Sequence, residues 1–355
     1  MNFHNWGGLC KFFRNRKSDN MNKPKNGTLE LLKLFASYMV VFIHVIFPGK
    51  IGTLMETLAR FAVPFFFLIS GFYSYRIPPQ KIKARVKSIL YLIIFAAVSY
   101  TLFNIIVRLS SGGSEDISAY FVQYSDFHTL VKLFIFNVPI CSEYMWYLYA
   151  ILYVYVIFYF VTAFYVKDKV IFSISISILI LHILSGEILS LFGIFLPGLL
   201  VRNFAVSGIP FFSIGLLVKK YQKKILTIPS YVILLSIIIG TLESIVSRYF
   251  FEKKEVYIGS LLISFAFVCL FIKYSNIKYP KSIRALEGCS TYVYIFHDMI
   301  SKTLRSIYIA VGVNMKSSVL LENMHPIIVC ICSTALAFLL VKVFHHKDCA
   351  GVFLR

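Results

Sequence analysis

LELLKLFASYMVVFIHVIF, residues 29–47, is long and apolar enough to cross a bilayer, yet it carries Glu30, Lys33 and His44. A helix turns about 100° per residue, so Lys33 and His44 differ by only about 20° around the axis and share a face. Glu30 and Ser37 fall within about 40° of His44 on the same arithmetic. Lys33 lies roughly 16 Å from His44 along the helix. Titratable groups inside a span are costly, so they usually face a protein-lined cavity and mark a functional path. The other reading is a helix end with a snorkelling Lys and a His near the far headgroups. The stretch by itself supports both.

The rest of the chain shares its character. Of 355 residues 58% are hydrophobic, well above the level of a soluble domain, and 35 Phe and 23 Tyr contribute heavily. The sequence therefore describes an integral membrane protein with little soluble mass. Its net charge of +20 does not point to nucleic acid, because the basic residues sit in short clusters between apolar runs. That pattern fits loops facing anionic lipid and the cytoplasm. The seven cysteines are scattered, with no CxxC spacing, so neither a disulfide framework nor a zinc site is expected. Residues 1–26 hold no apolar core followed by a small-residue cleavage site. They read as a basic cytoplasmic arm, lying on the membrane through Trp6, Phe12 and Phe13.

Windows of about 20 apolar residues place ten helices near 29–48, 57–75, 87–109, 145–166, 169–185, 203–218, 229–247, 256–273, 287–308 and 325–344. The expected fold is all-α and polytopic. Its membrane domain spans 27–346, and a short cytoplasmic tail follows at 347–355. Gly186, Gly193, Pro197 and Gly198 break the fifth region, so 187–200 reads as an interfacial or re-entrant piece. Phe127–Val138 is too short to span and reads as an amphipathic segment on the surface. With the N-terminus inside, 24 of the 36 basic residues fall on the cytoplasmic side, and both termini are cytoplasmic.

That topology gathers polar residues at one level. His44 lies in the outer half of the first helix, Arg60 starts the second, and Glu143 and Trp146 start the fourth. Arg202 and Asn203 start the sixth, and Glu243 ends the seventh. Five helices converging on one depth read as the wall of a site, against the alternative of scattered interfacial anchors. In the ninth helix Ser290, Tyr294, His297 and Ser301 follow a 4-3-4 spacing on one face. His297 is a secondary site candidate there, and the competing reading is a hydrogen-bonding seam between helices. Asp298 points about 100° away from His297. His325 and the pair His345–His346, at the ends of the last helix, read as surface residues. Phosphate-loop, HExxH, GxSxG and Rossmann patterns are missing from the sequence.

From about Gly27 to His346 the chain resembles the acyltransferase-3 family of integral membrane acyltransferases. The resemblance is carried by LELLKLFASYMVVFIHV, RFAVPFFFLISGFYSYR, MWYLYAILYVYV and STYVYIFHDMI. The first is similar to the family's opening helix, marked by an Arg, ten residues, then His. The resemblance implies about ten spans and transfer of an acyl group, often acetyl, from acyl-CoA to a sugar hydroxyl on a cell-surface or secreted glycan. His44 matches the family's first-helix His, thought to be catalytic. Lys33 stands where the family has Arg, which keeps the charge and loses the bidentate fork.

The residues themselves fit that chemistry. Acyl transfer to an alcohol needs a base, and His has a suitable pKa. Arg60, Arg202, Asn203 or Tyr147 can supply donors to the oxyanion, with Trp146 beside them on the acceptor side. Glu243 is expected to orient His44 as the third group of a triad. Lys33, Arg76 and Arg85 offer the donor's phosphates a cytoplasmic site. Acyl-CoA enters as a co-substrate, with no bound cofactor and no metal. The expected place is the plasma membrane, with lipid and glycan as partners. Two other readings remain: a transporter of an amino acid or glycan on the same membrane fold, and a structural partner in a glycan-synthesis complex.

Overall fold

The computed structural model describes residues 27–110, 114–251, 254–277, 279–280, 283, 285–315 and 318–346. The basic arm, the tail, and hence the sidedness of both termini lie outside the described residues. All regular structure among the described residues is helical. Buried backbone polar groups in hydrocarbon must be satisfied within their own segment, and a helix does this.

The principal helices are α1 (Gly27–His44), α2 (Gly49–Ala59), α3 (Ala62–Phe72), α4 (Pro79–Ser110), α5 (Ser114–Val122), α6 (Phe127–Phe136) and α7 (Trp146–Ala163). They continue with α8 (Asp168–Ile183), α9 (Ile209–Lys220), α10 (Ser230–Phe250), α11 (Ile258–Lys273), α12 (Cys289–Ala310) and α13 (Val319–His346). Each of the ten apolar windows falls on a helix. Eight are long and apolar enough to cross a membrane, counting α2 with α3 as one stretch, Gly49–Phe72. The other two are α11, which at 16 residues is only about 24 Å long, and α12, which carries Asp298, Lys302 and Arg305.

The expected surface segment is α6, which has no buried residue. Asp126 caps it, accepting from Thr129 N at 2.8 Å and Thr129 Oγ1 at 2.7 Å. These bonds favour the charged form and hold the Asp126 carboxyl below its usual range. Residues 187–200, expected to be an interfacial or re-entrant piece, begin as a continuation of a helix. Helix α8 runs on through a π turn, Leu184–Ile188, and a last turn, Leu189–Leu191, before Gly193 turns the chain at φ +74°. A second π turn, Phe204–Gly208, leads into α9. Single π turns break the i→i+4 ladder and re-aim the side chains on them.

The chain divides into two compact units, residues 49–270 and the residues on either side of them. In the unit formed by 49–270, α3 packs closely on α9. A Cβ on Gly71 would overlap the Phe212 carbonyl, and one on Gly215 would overlap that of Leu68. Backbone therefore meets backbone, the close approach that small residues permit in membranes. In the flanking unit α12 packs on both α13 and α1.

Candidate functional site

In the flanking unit the face singled out on α1 meets the stripe singled out on α12. Glu30 and Lys33 pair at 2.6 Å, with side chains only 12% and 13% exposed. The second oxygen of Glu30 lies 3.4 Å from Gly288 N, at the start of α12. Gly288 has φ +85°, which suits glycine, and a carboxylate at a helix N-terminus is favoured by the helix dipole. Two turns further, the Ser37 hydroxyl is shared between Lys33 O at 2.9 Å and Ser290 O at 3.0 Å. At the end of α1 the His44 ring stacks on His297, with centroids 5.4 Å apart and planes at 24°.

His297 is fully buried, and its Nδ1 lies 2.7 Å from Tyr294 O. A carbonyl only accepts, so Nδ1 carries a hydrogen and donates it. One turn on, Ser301 Oγ lies 3.1 Å from His325 Nε2. This corrects the surface reading of His325, which is 1% exposed. Its neighbour Pro326 reads as a helix boundary, but α13 starts earlier, at Val319, and takes Pro326 inside it. Asp298 pairs with Lys302 at 2.8 Å.

Among the described residues of the unit formed by 49–270, three polar clusters hold residues with ionic side chains. In the first, Arg60 Nη1 lies 2.7 Å from Glu255 Oε2, and Nη2 lies 3.4 Å from Glu56 Oε1. Arg202 Nε approaches the same Glu255 oxygen at 3.0 Å. That contact is ionic without hydrogen-bond alignment, and the Arg202 side chain is 38% exposed.

In the second cluster, Lys254 Nζ is fully buried. It lies 2.8 Å from Ser247 Oγ, 3.4 Å from Glu187 Oε1 and 4.6 Å from the Phe251 ring centroid. Ser247 Oγ also donates to Glu187 Oε1 at 3.0 Å. Glu187 accepts from Ile258 N and Glu243 accepts from Gly259 N, so two carboxylates hold the N-terminus of α11. Glu243 also accepts from Ser244 Oγ.

The third cluster surrounds Arg85. Its Nη1 donates to Ser74 Oγ at 2.7 Å and Tyr155 OH at 3.2 Å, and its Nη2 donates to Tyr73 O at 2.9 Å. Arg76 is exposed, in a left-handed conformation beside the Tyr75 ring. Asn203 uses both ends of its amide locally: Oδ1 caps Ala205 N and Val206 N, and Nδ2 donates to Leu199 O and Leu200 O. Trp146 O accepts from Asn137 Nδ2, whose Oδ1 accepts from Phe204 N. Tyr147 packs edge-on against Phe67 at 4.8 Å.

The structure thus brings together His44 with His297, and Arg60 with Arg202, all singled out in the sequence, and adds Glu56, Glu187, Lys254 and Glu255, which were not. A signal for the last was present: an Arg inside an apolar run demands a buried carboxylate, and FEKKEVY supplies one.

Eight membrane-length helices define a multi-pass membrane protein, with stacked imidazoles in one unit and buried ion pairs in the other. The family model described as an acyltransferase domain, Acyl_transf_3, matches residues 26–342. The chain belongs to this family and is a membrane acyltransferase. No curated protein and no solved structure matches it.

Proposed function

We propose that this protein moves an acetyl group from acetyl-CoA to a hydroxyl of a cell-surface or secreted glycan, at the plasma membrane, with His44 as the general base. The observation that carries this reading is the placement of His44. It ends the first helix of a family-matched chain and is stacked on a fully buried imidazole. His44 takes the hydroxyl proton as the alcohol oxygen bonds to the acyl carbon. The C–S bond breaks, and the imidazolium returns the proton to the departing thiolate. The transfer is then proton-neutral overall and needs no co-reactant.

On the acceptor side Arg202 is the most available cation, because only its Nε is engaged and its side chain is partly exposed. The Tyr147 hydroxyl is already hydrogen-bonded to Ser70, a partner that an acceptor must share. Arg60, Trp146 and Asn203 support the wall of the site, since their polar atoms hold neighbouring segments. On the donor side exposed Arg76 meets the phosphates first. Arg85 and Lys33 keep partners that a phosphate must share.

Mass spectrometry of surface glycans from cells with and without the gene tests the reading. Loss of an acyl mass supports it, and an unchanged glycan profile removes it. Lys33 gives a second test. Lys33→Arg is expected to retain transfer, since it keeps the charge and adds a fork for phosphate. Lys33→Glu is expected to lose at least about tenfold, the scale of one charge-assisted hydrogen bond, and it also sets two carboxylates against each other at Glu30. A Lys33→Glu protein with normal transfer removes Lys33 from the donor site.

A further inference from the structure

We infer that His297 is the positioning residue for His44: the face of its ring fixes the plane of the catalytic imidazole. The inference rests on the acyl-transfer reading of His44. The sequence reading gave this task to Glu243, whose carboxylate accepts from Gly259 N and Ser244 Oγ.

Three observations converge on His297. The first is the stack itself, at 5.4 Å and 24°, inside the range where offset rings attract. The second is the immobility of His297. It has no solvent exposure, and its Nδ1–H is tied to Tyr294 O on the preceding turn of its own helix. Such a ring cannot swing, so it is a fixed surface for a partner at a helix end.

The third is the set of contacts that fix the register of α12. Below the rings, Ser37 reaches Ser290 O across the helix pair, and Glu30 reaches Gly288 N. Above them, Ser301 meets His325 of α13. The height of His297 against His44 is therefore set from both sides. Among the described residues, Asp298 with Lys302 and Tyr294 on α12 lie beside His297, and His325 on α13 meets Ser301 one turn on. Asp298 is paired with Lys302, and the contact between His297 and His44 is ring on ring.

A ring-held base makes a distinctive demand. His44 must present one nitrogen to the acceptor hydroxyl and later to the thiolate, so a tilted ring slows the chemical step without loosening either substrate. Replacements of similar bulk then divide by shape. His297→Phe keeps a flat ring, whereas His297→Gln keeps hydrogen-bonding groups and loses the ring. A helix–helix hydrogen-bonding seam predicts the opposite order.

The experiment uses the full chain in detergent, with acetyl-CoA as donor and envelope glycan as acceptor, normalised to inserted protein. His297→Phe is expected to stay within about threefold of wild type. His297→Gln and His297→Ala are expected to lose about tenfold in kcat, with donor KM unchanged. A His297→Gln protein at the wild-type rate, or a His297→Phe protein as slow as His297→Ala, overturns the inference. A second arm does not depend on transfer: modification of His44 by diethyl pyrocarbonate, followed by peptide mass. His297→Ala should be modified several-fold faster than wild type, because a ring face is uncovered, and His297→Phe should match wild type. Equal rates in all variants overturn the stack even if wild type transfers no acetyl group. Absence of wild-type transfer with the expected modification pattern overturns only the acetyl-transfer reading.

Discussion

Replacement of His44 by Ala or Gln is expected to lower acyl transfer by about 10²–10⁴-fold, with folding and insertion retained. This is the usual contribution of a positioned general base. Neither substitute accepts a proton near neutrality, so the two should fail alike, and their agreement separates base catalysis from packing. Ala opens a space beside the ring of His297, whereas Gln largely fills it. A purely steric role would make Gln the milder change. The measurement is glycan acylation per inserted molecule. A His44→Ala protein working at the unmutated rate removes the base and favours transport on the same membrane fold.

The second large effect falls on stability and concerns Lys254. Its ammonium is fully buried against Ser247 and Glu187. Lys254→Met keeps most of the stem but strands the Glu187 carboxylate. Breaking a buried pair from one side costs about 3–5 kcal/mol, a large share of a protein's stability. The folded fraction after heating in detergent should fall sharply. Adding Glu187→Gln should recover most of the loss, because the residual amide still accepts from Ile258 N and no longer carries an unpaired charge. A double variant no more stable than Lys254→Met would show that the pair is not what holds this region.

The sequence discloses the helices because a bilayer demands length and apolarity, and those are local properties. It discloses the face of α1 and the stripe of α12 because helical spacing is arithmetic on residue numbers. What it conceals is pairing. Arg60 meets Glu255 across 195 positions, and no local pattern joins them. The bond from Gly259 N to Glu243, at the start of the next helix, has no local signature either. His325 was misread because a proline signals a helix end from sequence, whereas here the helix tolerates it. The π turns are equally silent, since they arise when tertiary contacts insert a residue into a helix that propensity alone would leave regular.

The contact of α3 with α9 constrains motion. Where carbonyl oxygens sit against glycines at Gly71 and Gly215, no side chain is available to rearrange as one helix slides past the other. The pair must translate and rotate together. A conformational cycle in the unit formed by 49–270 therefore has to bend elsewhere. The π turn at Phe204–Gly208, directly before α9, is the joint where its ladder of hydrogen bonds is already widened.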